Sequence, residues 1–291
     1  MSFSLKTPEG LPTHAQLVDF FNKVLPPNVK DIPLLYHVPR WPGYNASKIY
    51  VHDIVLSVTP TLGVYAKLRQ LARGTRKAVC FLHRPFQLDR KALPKGSLVL
   101  ANHKRFDELL TVGYNLALAS RLGMVVERAT CIQGYKGDPE RRIGIVGPLG
   151  QVETLENLAQ TISAELCVAD IHKNSQSTSS QTIQAVALMN AFGPDEVSRV
   201  ILTTKDDGLI LEEVSPRSLL YLTGQPRDLG LQAAETFRMP SICVGHRPAE
   251  EWGIRYLESS LHQTWPNLAV HTVFEDESPP ETQSVLIEAK S

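Results

Sequence analysis

Three stretches of this 291-residue chain end in residues that bind cations or move protons. His83 follows the apolar run Ala78-Val79-Cys80-Phe81-Leu82, His103 lies just beyond Ser97-Leu98-Val99-Leu100-Ala101, and His246 follows Ser241-Ile242-Cys243-Val244-Gly245. In two of the three a carboxylate stands four positions on: Asp107 after His103, and Glu250 after His246. One turn of backbone can point such a pair at the same place. Imidazole with carboxylate is a ligand set for zinc, iron, manganese or nickel, and catalytic sites of this kind are assembled from several strand ends. A lone His-x3-Glu pair is ordinary surface chemistry. The shared position of all three histidines at strand ends is what points to metal. A divalent ion held there would activate water for hydrolysis, with Asp107 or Glu250, whichever is not committed to the ion, as general base.

The elements that must position these residues alternate. Residues Gly10 to Pro27 carry a helical pattern stopped by Pro26-Pro27. Ile49 to Val58 reads as a strand, and Thr59-Pro60 reads as the cap of a helix from Leu62 to Ala72. The strands before His83 and His103 follow, then a strongly apolar helix from Glu108 to Leu122 and a strand from Met124 to Ile132. Gly134 to Gly150 is rich in glycine and charge and reads as turns, with a short strand at Arg141-Arg142-Ile143-Gly144. Thr154-Leu155 opens a helix, and Lys173 to Thr182 is a Ser/Gln/Thr-rich tract expected to be a loop or lobe boundary. Ile183 to Phe192 reads as helix, Arg199 to Thr204 as strand, Leu219 to Gly224 as strand, Leu229 to Arg238 as helix, and Leu268 to Phe274 as the final strand before an acidic tail expected to be disordered. This predicts an α/β protein of two lobes with mostly parallel, covered sheets and a shared cleft. The expected division is an N-terminal lobe over 1–172, a linker and helical connection over 173–198, and a C-terminal lobe over 199–291.

Composition bounds the rest. Zero formal net charge gives no basis for a broad nucleic-acid footprint or an anionic membrane surface. No window is apolar for the length a membrane span needs, and Met1 to Arg40 does not read as a secretory signal. Cys80, Cys131, Cys167 and Cys243 are widely spaced, so free thiols, a reducing compartment and a cytoplasmic location are expected. Arg90, Lys91, Lys95, Lys104 and Arg105 flank the proposed cleft in sequence and could draw a small anionic substrate, although a solvated loop is the commoner meaning of such a run. His52, His172, His262 and His271 have no partner at ligand spacing and are expected at surface or satisfied interior positions.

The same motifs, in the same order, resemble those of the Nif-three-like family, also known as the GTP cyclohydrolase 1 type 2 homologues. Its His-His-Pro motif is matched here by His83-Arg84-Pro85, and its His-x3-Asp with Gly-x-Asn by His103, Asp107 and Gly113-Tyr114-Asn115. Its Thr-Gly-Glu segment is matched by Thr223-Gly224-Gln225, and its Gly-His-x3-Glu-x2-Gly by Gly245, His246, Glu250 and Gly253. The likeness runs from about Asp53 to Leu261. It implies two α/β lobes facing each other across a cleft that holds two adjacent divalent metals, of which this chain is expected to keep one or two, assembly into closed homo-oligomers, and protein partners that include transcription regulators. It assigns His83, His103, Asp107, His246 and Glu250 to the metal site.

One position departs from the family. Arg84 stands where relatives carry the second histidine of the pair, and a guanidinium cannot lose its proton to bind a cation. Arg84 is therefore expected either to replace the charge of a lost metal, bridging Asp107 or Glu250, or to mark a vestigial site. Gln225 in place of the family's glutamate points the same way. Two functions follow: a metal-dependent hydrolase of a nucleotide or phosphate-containing small molecule, or a non-catalytic oligomeric scaffold or regulatory protein with an eroded site.

Overall fold

The computed structural model describes residues 10–73, 77–175, 177–206, 208 and 216–276. The chain forms two compact units, one made of residues 1–103 and 257–291 and the other of residues 104–256. Among the described residues no helix is long and apolar enough to cross a membrane.

The first unit contains α1 (His14–Val24), β1 (Leu35–His37), β2 (Asp53–Ser57), α2 (Leu62–Leu71), β3 (Val79–Leu82), β4 (Leu98–Ala101) and, from the far end of the chain, β11 (Ala269–Val273). Thr13 and Gln16 cap the start of α1 reciprocally, satisfying backbone donors that the first helical turn leaves exposed. The five strands form one sheet in the order β1-β4-β3-β2-β11, parallel except for the edge strand β1. β3 and β4 are wholly buried apolar runs, as strands covered on both faces must be. Leu82 pairs with Ala101, so the residues leaving both strands emerge side by side from one edge of the sheet. The cap of α2 is Thr61 rather than Thr59, one residue after the proline.

The second unit contains α3 (Lys104–Leu109), α4 (Leu116–Arg121), β5 (Thr130–Tyr135), β6 (Asp138–Thr154), α5 (Leu155–Leu166), β7 (His172–Lys173), β8 (Thr182–Met189), α6 (Pro194–Asp206), β9 (Leu219–Thr223), α7 (Asp228–Thr236), β10 (Ser241–Cys243) and the start of α8 (His246–Thr264). Its sheet runs β5-β6-β8-β9-β10-β7, with β8, β9 and β10 parallel and the other pairings antiparallel. Its core gathers Val146, Ala187, Met189, Val200 and Tyr221.

Four elements differ from the sequence expectation. The helix read over Glu108 to Leu122 is two short helices, because Asn115 caps the second with its side chain and donates to the Thr111 carbonyl at 3.0 Å. The glycine-rich stretch is a 17-residue strand, β6. A Cβ at Gly144 would meet the Leu188 carbonyl at 2.5 Å, so that glycine serves close strand approach rather than a turn. The actual turn is Lys136-Gly137, both at positive φ (48° and 79°), which is the geometry a two-residue hairpin requires. Residues 182–189 are a strand and 194–206 a helix, the reverse of the expectation for both. The acidic tail beyond residue 276 lies outside the described residues.

Candidate metal centre and cavity

His83 leaves β3 fully buried, and its Nδ1 lies 3.1 Å from the carbonyl oxygen of Asn102, just past β4. A carbonyl only accepts, so Nδ1 carries the proton and the lone pair sits on Nε2. Metal-binding histidines are oriented in this way, by donating the other ring nitrogen's proton to a backbone carbonyl. The His103 ring lies 5.1 Å from that of His83, centroid to centroid, and Phe86 packs edge-on against it at 5.1 Å. The His103 amide donates to Asp31 Oδ1 at 3.3 Å. Asp107 follows one helical turn later, on α3 at the start of the second unit. Two imidazoles gathered this closely, one with its free nitrogen fixed, are donors that could hold a divalent ion. The Arg84 side chain is half-buried, and its amide donates to the Val58 carbonyl at 2.7 Å.

The second unit carries a half-open cavity of about 550 Å³ whose wall includes Asp107, Asn190, Thr223, Gln225, His246 and Glu250. His246 opens α8 as expected from its strand-to-helix position, and Glu250, one turn on, is 1% exposed. His246 Nε2 and Glu250 Oε1 are 3.1 Å apart. Two donors about 2.1 Å from one ion stand roughly 3.0–3.4 Å apart, so this pair is spaced to share a cation as well as to bond directly. Asn190 Nδ2 donates to the Asp107 carbonyl at 3.4 Å, and Thr111 Oγ1 donates to the same oxygen at 2.6 Å.

Two members of the basic run expected to attract substrate are engaged elsewhere. Arg105 pairs with the buried Glu108 at 2.5 Å, and Arg90 stacks on Tyr36, 5.3 Å from its centroid. The cavity's cations are instead Lys136, Arg141 and Arg227. Sequence reading did not single out these three, nor Asn102 or Asn190. Asn102 stood in plain view between strand and histidine, but its contribution comes from a backbone atom that no side-chain pattern reveals. His271, expected to lack a partner, meets Asp53 at 3.1 Å because β11 pairs with β2 in register. All four cysteines are free, and burial pushes the thiols of Cys80 and Cys243 up to about 12.

Comparison with known proteins adds to this geometry. The sequence pattern of Duf34/NIF3 (NGG1p interacting factor 3) matches residues 84–280, a span that includes His103, Asp107, His246 and Glu250 and begins one residue after His83. The protein named GTP cyclohydrolase 1 type 2 homolog in Pyrococcus horikoshii is 27% identical over 187 residues, covering 64% of this chain and 65% of that protein. Its namesake in Pyrococcus abyssi is 26% identical over 165 residues, covering 57% and 56%. The matches thus span less than two thirds of the length of these relatives. Among solved structures, a hypothetical protein of Staphylococcus aureus aligns with TM-score 0.61 at 14% identity, covering 92% of this chain and 98% of that one. Reduced HcgD from Methanocaldococcus jannaschii aligns with TM-score 0.62 at 15% identity, covering 91% and 98%. A Bacillus cereus protein related to NIF3 aligns with TM-score 0.58 at 14% identity, covering 93% and 99%. At these identities the likeness is one of fold.

Proposed function

This chain belongs to the Duf34/NIF3 family, and from that premise we propose that it is a divalent-metal-dependent hydrolase acting on a nucleotide or another phosphate-containing small molecule. The observation that carries the reading is the His83 and His103 pair, with ring centroids 5.1 Å apart and the His83 tautomer set by Asn102; Asp107 joins it by the family resemblance. His246 and Glu250, which the family resemblance also assigns to metal, complete the proposed ligand set. A divalent ion held by these residues would polarise a phosphoryl oxygen and acidify water. The chain's own groups do the rest: Asn190 and Thr111 hold the backbone at Asp107, and whichever of Asp107 and the buried Glu250 is not committed to the ion takes a proton from water. Free, widely spaced cysteines support a reducing, cytoplasmic setting, and the family resemblance supports a homo-oligomer.

A second reading, a scaffold or regulatory protein that has lost part of its metal site, is favoured by one observation. Arg84 occupies the position where relatives carry a second histidine. Elemental analysis of the purified protein, with a hydrolysis screen over nucleotides and phosphoesters, separates the two. The hydrolase reading expects roughly stoichiometric metal and turnover of a phosphate ester, both abolished in His246→Ala. Metal-free protein that stays inactive when metal is supplied would overturn it in favour of the scaffold.

A further inference from the structure

The cavity of the second unit carries positive charge that the metal reading does not use. Lys136, Arg141 and Arg227 line it together with three carboxylates, Asp107, Glu196 and Glu250. Among the described residues none of those three cations has an ion-pair partner. Two of them are held by one ring instead: Lys136 Nζ lies 5.1 Å, and the Arg141 guanidinium carbon 5.3 Å, from the centroid of Tyr135.

The hairpin creates this arrangement. Tyr135 pairs with Asp138 across a turn in which Lys136 takes a left-handed conformation rare for a side-chain-bearing residue. Arg141 stands three residues along the returning strand. Its Nε is buried and makes no hydrogen bond, and a buried donor in that condition calls for an acceptor. Two cations gathered on one ring and a third in the same cavity lining, none ion-paired and one with an unmet donor, form a receptor for an anion. A cavity of about 550 Å³ suits a small molecule and not a macromolecular surface.

We propose that Lys136, Arg141 and Arg227 bind the phosphate group of a small phosphate ester. Phosphate fits better than a carboxylate because its second negative charge and its several acceptor oxygens can engage more than one cation, with the Arg141 fork as a bidentate partner. The proposal deepens the hydrolase reading, on which it rests for calling that ester a substrate.

Calorimetric titration of the full chain after chelation, with adenosine 5′-monophosphate, inorganic phosphate and adenosine as probes, tests it without relying on turnover. The monophosphate should bind and adenosine should bind at least about tenfold more weakly. Arg141→Gln should weaken the monophosphate by about ten- to a hundred-fold, the range of a lost charge-assisted bond. Lys136→Gln should weaken it less, and Arg141→Lys should recover part of the loss. Lys205→Gln, on the exposed end of α6, should change nothing. Unaltered melting temperatures show that the variants are folded.

Equal binding by wild type and Arg141→Gln, no binding by the wild type, or adenosine binding as tightly as its monophosphate would each overturn the proposal. Inorganic phosphate binding more than tenfold tighter than the monophosphate would overturn the ester assignment. Metal content of Arg141→Gln should match wild type. Charge-dependent binding in a protein that never takes up metal would therefore sink the hydrolase reading alone, and a metal-loaded protein indifferent to Arg141 would sink this proposal alone.

Discussion

His83 and Asn102 lie on neighbouring strand ends, and the Nδ1 of the first donates to the main-chain oxygen of the second at 3.1 Å. The sheet register itself therefore fixes which nitrogen of the imidazole can bind a cation. His83→Ala should lower bound metal at least tenfold after dialysis, and Asp107→Asn should do the same, as read by mass spectrometry of the purified proteins. Metal retained in both variants would show that the ion, if present, is held elsewhere.

Arg84→His recreates the histidine pair of the family. If Arg84 stands in for a lost metal, the variant should bind more metal than wild type, up to one further ion per chain. Unchanged metal content would show that loss of this histidine did not erode the site.

Glycine at 144 answers to strand spacing and glycine at 137 to turn conformation. An added Cβ at 144 would collide with Met189 Sδ and lie 2.5 Å from the Leu188 carbonyl, whereas at 137 nothing lies within 4 Å. Gly144→Ala should cost about 3 kcal/mol through forced separation of β6 and β8. Gly137→Ala, strained only by its φ of 79°, should cost about 1 kcal/mol. Urea unfolding of both variants checks the ranking.

His14 gives the first unit an acid-sensitive point. It is 1% exposed beside the Tyr44 hydroxyl, and burial lowers its pKa from 6.5 to about 4. The unfolded chain takes up this proton first, so the stability contributed is complete above 6.5 and is lost as pH falls through 4. The loss should reach roughly 3 kcal/mol at the acid end. His14→Phe should flatten this part of the profile in chemical denaturation at successive pH values.

The strand ends bearing His83, His103 and His246 were legible because each follows a short apolar run closed by polar residues, and α5 because Thr154 is a good cap. Other elements were hidden for physical reasons. Strand β8 is buried almost throughout, so its apolar run carries no period and mimics a buried helix. Helix α6 shows β-branched residues at 200, 201, 203 and 204, yet its buried set is Val197, Val200, Ile201 and Thr204, a helical spacing visible only when the window starts at Pro194. The cavity cations Arg141 and Lys136 had no motif to mark them, because a hairpin and an aromatic ring bring them together.

β11 completes the first sheet by pairing with β2 more than two hundred residues earlier. During synthesis, β2 therefore emerges long before its neighbour exists, and every strand of the second unit is made in between. The unit made first is finished last, and until then one side of β2 offers unmet backbone donors and acceptors to any passing strand. Chains cut short near residue 256 should consequently aggregate, even though every proposed metal ligand is already present.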